Sequence, residues 1–65
     1  MGHQVGQVQK TEVDGVCALW TLVVESDRRR YWCCVWSRPD YLVDACVRQS
    51  VFSDQVIRQL ICDRK

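Results

Sequence analysis

An Asp-Gly pair set between valines, Val13-Asp14-Gly15-Val16, commits this chain to an early reversal. A two-residue hairpin of type I′ needs φ > 0 at both central residues, and Asp-Gly accepts that at little cost. The chain after the turn must then run antiparallel to the chain before it. From Val16 to Ser26 the run VCALWTLVVES is rich in β-branched and aromatic residues and reads as a strand. Ser26-Asp27-Arg28-Arg29 is polar and predicts a second reversal, after which Tyr31 to Ser37 returns as another strand. Upstream, roughly residues 4–13, Val5, Val8 and Val13 are the only apolar members. That segment is expected as an edge strand, with residues 1–4 mobile.

Beyond Ser37 the pattern changes period. Ser37-Arg38-Pro39-Asp40 offers a capping hydroxyl, a proline in the first turn and an acid three residues after the cap. A helix over about 38–50 is expected next, with Leu42, Val43, Ala45, Cys46 and Val47 on one arc and Asp40, Asp44 and Arg48 on the other. Phe52 is expected to anchor a corner. Ser53 then caps a second helical segment with an apolar stripe of Val56, Ile57, Leu60 and Ile61, ending in Arg64 and Lys65. The expected fold is α+β: one small two-layer domain over 1–65, an antiparallel three-stranded meander followed by one or two helices packed on one sheet face. In strand order alone this resembles the DNA-binding modules of phage-type integrases and plant ethylene-response factors, and fold by itself does not fix function.

The stretch Arg28 to Trp36, RRRYWCCVW, raises the functional question. With a tip at residues 26–29, Glu25 faces Arg30, Val23 faces Trp32, Thr21 faces Cys34 and Leu19 faces Trp36. Alternation then gives one face of Val16, Ala18, Trp20, Leu22 and Val24 with Tyr31, Cys33 and Val35, the expected core. The opposite face carries Leu19, Val23, Trp32 and Trp36, and 65 residues supply no third layer to cover it. An apolar face of that size exceeds what monomers usually leave in water. Leu19, Val23, Trp32 and Trp36 are therefore the expected partner-binding residues, with a second copy of the chain or another protein as partner. The alternative is a nucleic-acid surface using Arg28, Arg29, Arg30, Trp32 and Trp36, with the indoles stacking bases. A third possibility is internal cover by the N-terminal segment or the second helix.

Composition weighs between these readings. Nine cations against eight acids leave a net charge of +1, far from the basic excess of a dedicated polyanion binder. The arginine run reads first as a solvated tip that discourages edge-to-edge aggregation. Five cysteines, only three glycines and one proline fit reduced thiols serving as small apolar residues better than a disulfide framework. Cys46 is expected in the core and Cys62 off the apolar stripe. A cysteine-based metal or redox protein remains a further alternative, but the spacing lacks the paired ligands of a zinc site. No metal ligand and no cofactor are assigned. His3 is the sole imidazole, no glycine-rich phosphate loop exists, and the chain is not expected to be an enzyme. The apolar run 16–24 is too short for a bilayer and the N-terminus lacks a signal-peptide core, so a cytoplasmic location without membrane partners is expected. The sequence thus predicts a small non-enzymatic binding protein, homodimeric through an apolar sheet face and suited to act as an adaptor or inhibitor of a larger protein.

Overall fold

The computed structural model describes residues 3–65. Four strands, β1 (His3–Val13), β2 (Val16–Val24), β3 (Arg30–Arg38) and β4 (Cys46–Arg48), form one antiparallel sheet in the order β1-β2-β3-β4. Single 3₁₀ turns at Asp40–Leu42 and Gln49–Val51 flank β4, and the helix α1 (Asp54–Arg64) closes the chain. The α+β class holds, while the three-stranded meander becomes a four-stranded one, and of the one or two expected helices only the C-terminal one forms. The fourth strand also departs from the three-strand modules that the strand order resembles. Of the terminal segment expected to be mobile, Met1 and Gly2 lie outside the described residues; His3 and Gln4 belong to β1.

The Asp-Gly hairpin forms as its chemistry requires. Asp14 and Gly15 both take positive φ, 51° and 77°, and Val13 pairs with Val16 across the turn. Further along the ladder, β1 holds two extra residues between the pairs Gln4↔Val23 and Val8↔Thr21. Gly6 sits in this bulge at φ 81° with open space where a Cβ would stand, so the backbone angle is what favours glycine there.

The second reversal is one residue longer than expected. It spans residues 25–29, with Arg28 at φ 68°, an Arg28 N–H to Glu25 carbonyl bond of 2.9 Å and a Glu25 N–H to Arg29 carbonyl bond of 2.9 Å. Arg30 therefore faces Val24, and Trp32 faces Leu22 rather than Val23. A one-residue slip moves every side chain to the other face. Between Leu19↔Trp36 and Trp20↔Cys34 the register shifts back, because Val35 is an extra residue on β3. The expected pairing thus fails from Arg30 to Cys34 and holds at Leu19↔Trp36.

The core follows this corrected register. Trp20 is fully buried, and its Nε1–H donates to Thr11 Oγ1 at 2.8 Å, which satisfies the one polar atom of the indole. Trp32, at 9% exposure, and Cys34 lie on the same side of the sheet, whereas Tyr31 and Cys33 lie on the other and Val35 is exposed. Phe52 anchors the corner by meeting both indoles, edge-on to Trp20 at 5.1 Å and tilted to Trp32 at 5.7 Å. Ile57 and Ile61 of α1 join Leu42, Ala45 and Val47 in this layer, with Val56 and Leu60 partly buried beside it. Ser53 caps α1 as expected, its Oγ accepting from the Val56 N–H at 3.3 Å.

The helix expected over 38–50 does not form. Pro39 has ψ 164°, Val43 is extended, and Asp44 takes φ 70°, so the backbone leaves helical space three times in six residues. The Ser37 hydroxyl donates to the Pro39 carbonyl instead of capping a helix. From Cys46 to Arg48 the burial alternates exposed, buried, exposed, the period of a strand and not of a helix. Cys46, expected in a helix core, is consequently exposed. The last turn of α1 ties this segment down, with Arg64 Nη1 donating to the carbonyls of Tyr41 at 3.1 Å and Val43 at 3.4 Å.

Candidate functional site

Two surfaces emerge. The first is the sheet face away from α1, where β2 presents Cys17, Leu19, Thr21 and Val23, β1 presents Val8, Lys10 and Glu12, and β3 presents Tyr31, Cys33 and Trp36. Leu19 and Val23 are half-buried by their neighbours, Trp36 is 46% exposed and Val8 64%. Three of the four residues expected on this face, Leu19, Val23 and Trp36, are therefore together. Trp32 is not. The longer tip turns it inward against Phe52, so it is unavailable to a protein partner or to a stacked base.

Cysteines occupy both sides of the sheet. Cys33 and Cys46 are register partners on the open face, with Cα atoms 4.1 Å apart, and are joined by a disulfide. The expectation of uniformly reduced thiols fails here because β4 lies beside β3, a pairing that a helix at 38–50 would have precluded. The Cys34 N–H donates to the Ala45 carbonyl at 2.8 Å, which fixes the two cysteines as neighbours across the ladder. Cys17, Cys34 and Cys62 are free, and Cys62 is exposed as its position off the helical stripe predicts. Burial pushes the Cys34 thiol above its ordinary range, opposed by its hydrogen bond to the Trp36 carbonyl at 3.1 Å. A thiol held protonated in the core is a packing group and not a nucleophile. Among the described residues, no group of three or more His, Cys, Asp or Glu side chains stands close enough to hold a metal ion.

The second surface lies at the far end of β3. Arg28, Arg29 and Arg30 from the tip meet Arg48, Gln49 and Ser50 around a depression of about 320 Å³. The approach of Arg48 follows from the Tyr31↔Arg48 pairing. Asp27 accepts from the Arg29 N–H at 3.0 Å and pairs with its Nε at 3.3 Å, both side chains being more than half exposed. Sequence reasoning placed Arg48 opposite the apolar arc of a helix, beside Asp44, and so missed it. The sequence carries no usable signal for it: Ala45-Cys46-Val47 is an unbroken apolar run before Arg48, which period alone cannot assign to a strand or a helical arc.

These two surfaces do not merge into one aromatic and cationic platform. Six residue steps along β3 separate Arg30 from Trp36, roughly 20 Å at the rise of an extended strand. No helix is long and apolar enough to cross a membrane among the described residues. No family model, curated protein or solved structure matches the chain.

Proposed function

We propose that this protein works by binding and not by catalysis, and that its open sheet face pairs with the same face of a second copy. The observation that carries this reading is Trp36, nearly half exposed beside Leu19 on a sheet whose other side alone receives the helix layer. Strand spacing and rise give four strands of this length a footprint on the order of 500 Å². Two such faces bury about 1,000 Å² in total, the lower bound for a specific interface, so a weak, reversible dimer is the expected product. Two sheets stacked in this way would make a sandwich with their strands within about 30° of each other. A chain of this size gains stability from such pairing, since its own core is small.

Sedimentation equilibrium over micromolar to millimolar concentrations tests the reading. The wild-type chain is expected to pass from monomer to dimer, and Trp36→Asp is expected to stay monomeric while keeping its far-ultraviolet circular dichroism. A wild-type monomer throughout that range would remove the proposal. The nucleic-acid alternative loses support from the burial of Trp32 and from the distance between Trp36 and the arginines. An adaptor or inhibitor role would use the same face, with the larger protein in place of the second copy. Location bears on the cysteines: a cystine that persists in cells belongs to an oxidising compartment, so alkylation in intact cells tests the cytoplasmic expectation at Cys33 and Cys46.

A further inference from the structure

The arginine depression stands apart from the open face and does not depend on pairing. Four arginines from two separate stretches of chain line it, and Asp27 offsets one of them. Among the described residues, Arg28, Arg30 and Arg48 have no carboxylate within ion-pair distance. Four lining arginines less the ion-paired Asp27 leave three positive charges around about 320 Å³, with Glu25 on the same tip but in no ion pair among the described residues. Such a cluster repels itself, and a bound anion relieves the repulsion while gaining charge-assisted hydrogen bonds. The chain is not basic elsewhere, with a net charge of +1 over all 65 residues, so the field is local to this spot.

We infer that the depression lined by Arg28, Arg29, Arg30 and Arg48 is a binding site for a diphosphate group carried by a small molecule. Guanidinium forks match pairs of phosphate oxygens, and arginine is suited to this where lysine provides only a point charge. Gln49 and Ser50 add neutral donors on the β4 side of the depression. A single phosphate carries about −1.5 to −2 charge at neutral pH, short of the three positive charges, whereas two linked phosphates come close to balance. The volume stands at the low end of ligand clefts, roughly 300–1,000 Å³, which suits a charged terminal group and leaves the rest of the ligand in solvent. The tip is held for this task by its own hydrogen bonds, with Asp27 fixing the Arg29 backbone and side chain together.

The test is calorimetric titration of the full, oxidised chain with inorganic pyrophosphate at low ionic strength, repeated with inorganic phosphate and with a short single-stranded oligonucleotide. Saturable one-to-one binding of pyrophosphate is expected, tighter than phosphate and weakened by added salt. Arg48→Ala is expected to weaken it at least about tenfold, and Arg48→Lys less, because lysine keeps the charge and loses the fork. Arg58→Ala, which removes a cation paired with Asp14 elsewhere on the molecule, is expected to leave binding unchanged. Should Arg48→Ala disturb β4, Arg28→Gly supplies the same readout, since glycine accepts the φ of 68° at that position and removes the guanidinium. Absence of pyrophosphate binding overturns the assignment, as does binding indifferent to both variants. Oligonucleotide binding that pyrophosphate does not displace overturns it in favour of a nucleic-acid backbone.

Discussion

On the helix side of the sheet, Trp20, Leu22, Trp32 and Val47 sit beneath a layer that includes Phe52, Ile57 and Ile61. On the other side, Leu19, Val23, Tyr31 and Trp36 have, among the described residues, their strand neighbours for cover. Both sides hold an aromatic ring, β-branched residues and cysteine sulfur, so residue type does not separate them. Two local backbone events do: a five-residue tip and one extra residue at Val35. The first turns Trp32 inward, and the second returns Trp36 to the outside. Burial on this sheet is a matter of counting residues between reversals: one residue more or less in the tip would exchange the roles of Trp32 and Trp36, and loss of the bulge at Val35 would turn both indoles inward.

The sharpest way to break this contrast is to remove the buried indole that both α1 and Phe52 depend on. Trp20→Ala is expected to cost about 3–5 kcal/mol, the usual penalty for a large aromatic in a core. Domains of this length hold roughly 3–10 kcal/mol in all, so the loss is a large share of the total. Urea denaturation followed by circular dichroism measures it, and a loss below about 1 kcal/mol would mean that the core is not centred on Trp20.

Next in size is the bond that secures β4. That strand has three register pairs, Tyr31↔Arg48, Trp32↔Val47 and Cys33↔Cys46, and the disulfide closes a loop with a sequence separation of 13. Cys46→Ser is expected to cost about 3 kcal/mol, the chain-entropy value for a loop of that length. Amide exchange should localise the loss, with protection falling at Trp32 and Val47 and surviving in the β1–β2 ladder. Uniform loss throughout the sheet would show β4 to be integral to the domain and not a strap on it.

How much of this was legible in the sequence depends on the same distinction. Asp14 and Gly15 act through their own backbone and Ser53 through its hydroxyl on the Val56 N–H three residues on, so the first hairpin and α1 could be read directly. Leu19↔Trp36 was paired correctly although Val23↔Trp32 was not, because the tip length and the Val35 bulge cancel at Trp36. Neither bulge nor tip length leaves a period in the pattern. Residues 38–50 misled for another reason: Leu42, Ala45 and Val47 fit a helical arc as well as they fit a turn and a three-residue strand. What decides is Asp44 at positive φ and pairing with β3, and that pairing is non-local. The arginine cleft inherits the difficulty, since Arg48 reaches it only through β4.

A smaller effect of opposite sign is expected at Thr21. It lies on the open face between Val8 and Cys33 in the ladder, yet its neighbours bury it to 8% exposure and its Oγ1 has no hydrogen-bond partner among the described residues. A hydroxyl removed from water without a partner lowers stability by about 1–3 kcal/mol. Thr21→Val keeps the β-branched shape that a strand favours and deletes the oxygen. A gain of about 1 kcal/mol in urea denaturation is the expected outcome. A loss instead would show that the hydroxyl is satisfied in solution, and that the open face admits water more deeply than its packing suggests.

Trp36→Ala is expected to cost less monomer stability than Trp20→Ala, although it deletes as large a ring. Nearly half the side chain already meets water, and no core contact is lost. At concentrations where the chain is monomeric, its loss of stability should stay below the figure of about 3–5 kcal/mol expected of Trp20→Ala, because only part of the ring's surface is withdrawn from water. At concentrations where copies pair, wild type gains stability by mass action and the variant does not, so their curves should diverge as concentration rises. A constant gap at all concentrations would mean that the Trp36 ring supports its own chain, through Leu19 across the ladder, and that pairing contributes nothing. The two indole variants, measured as a function of concentration, thus distinguish a ring that builds the fold from one that the fold presents.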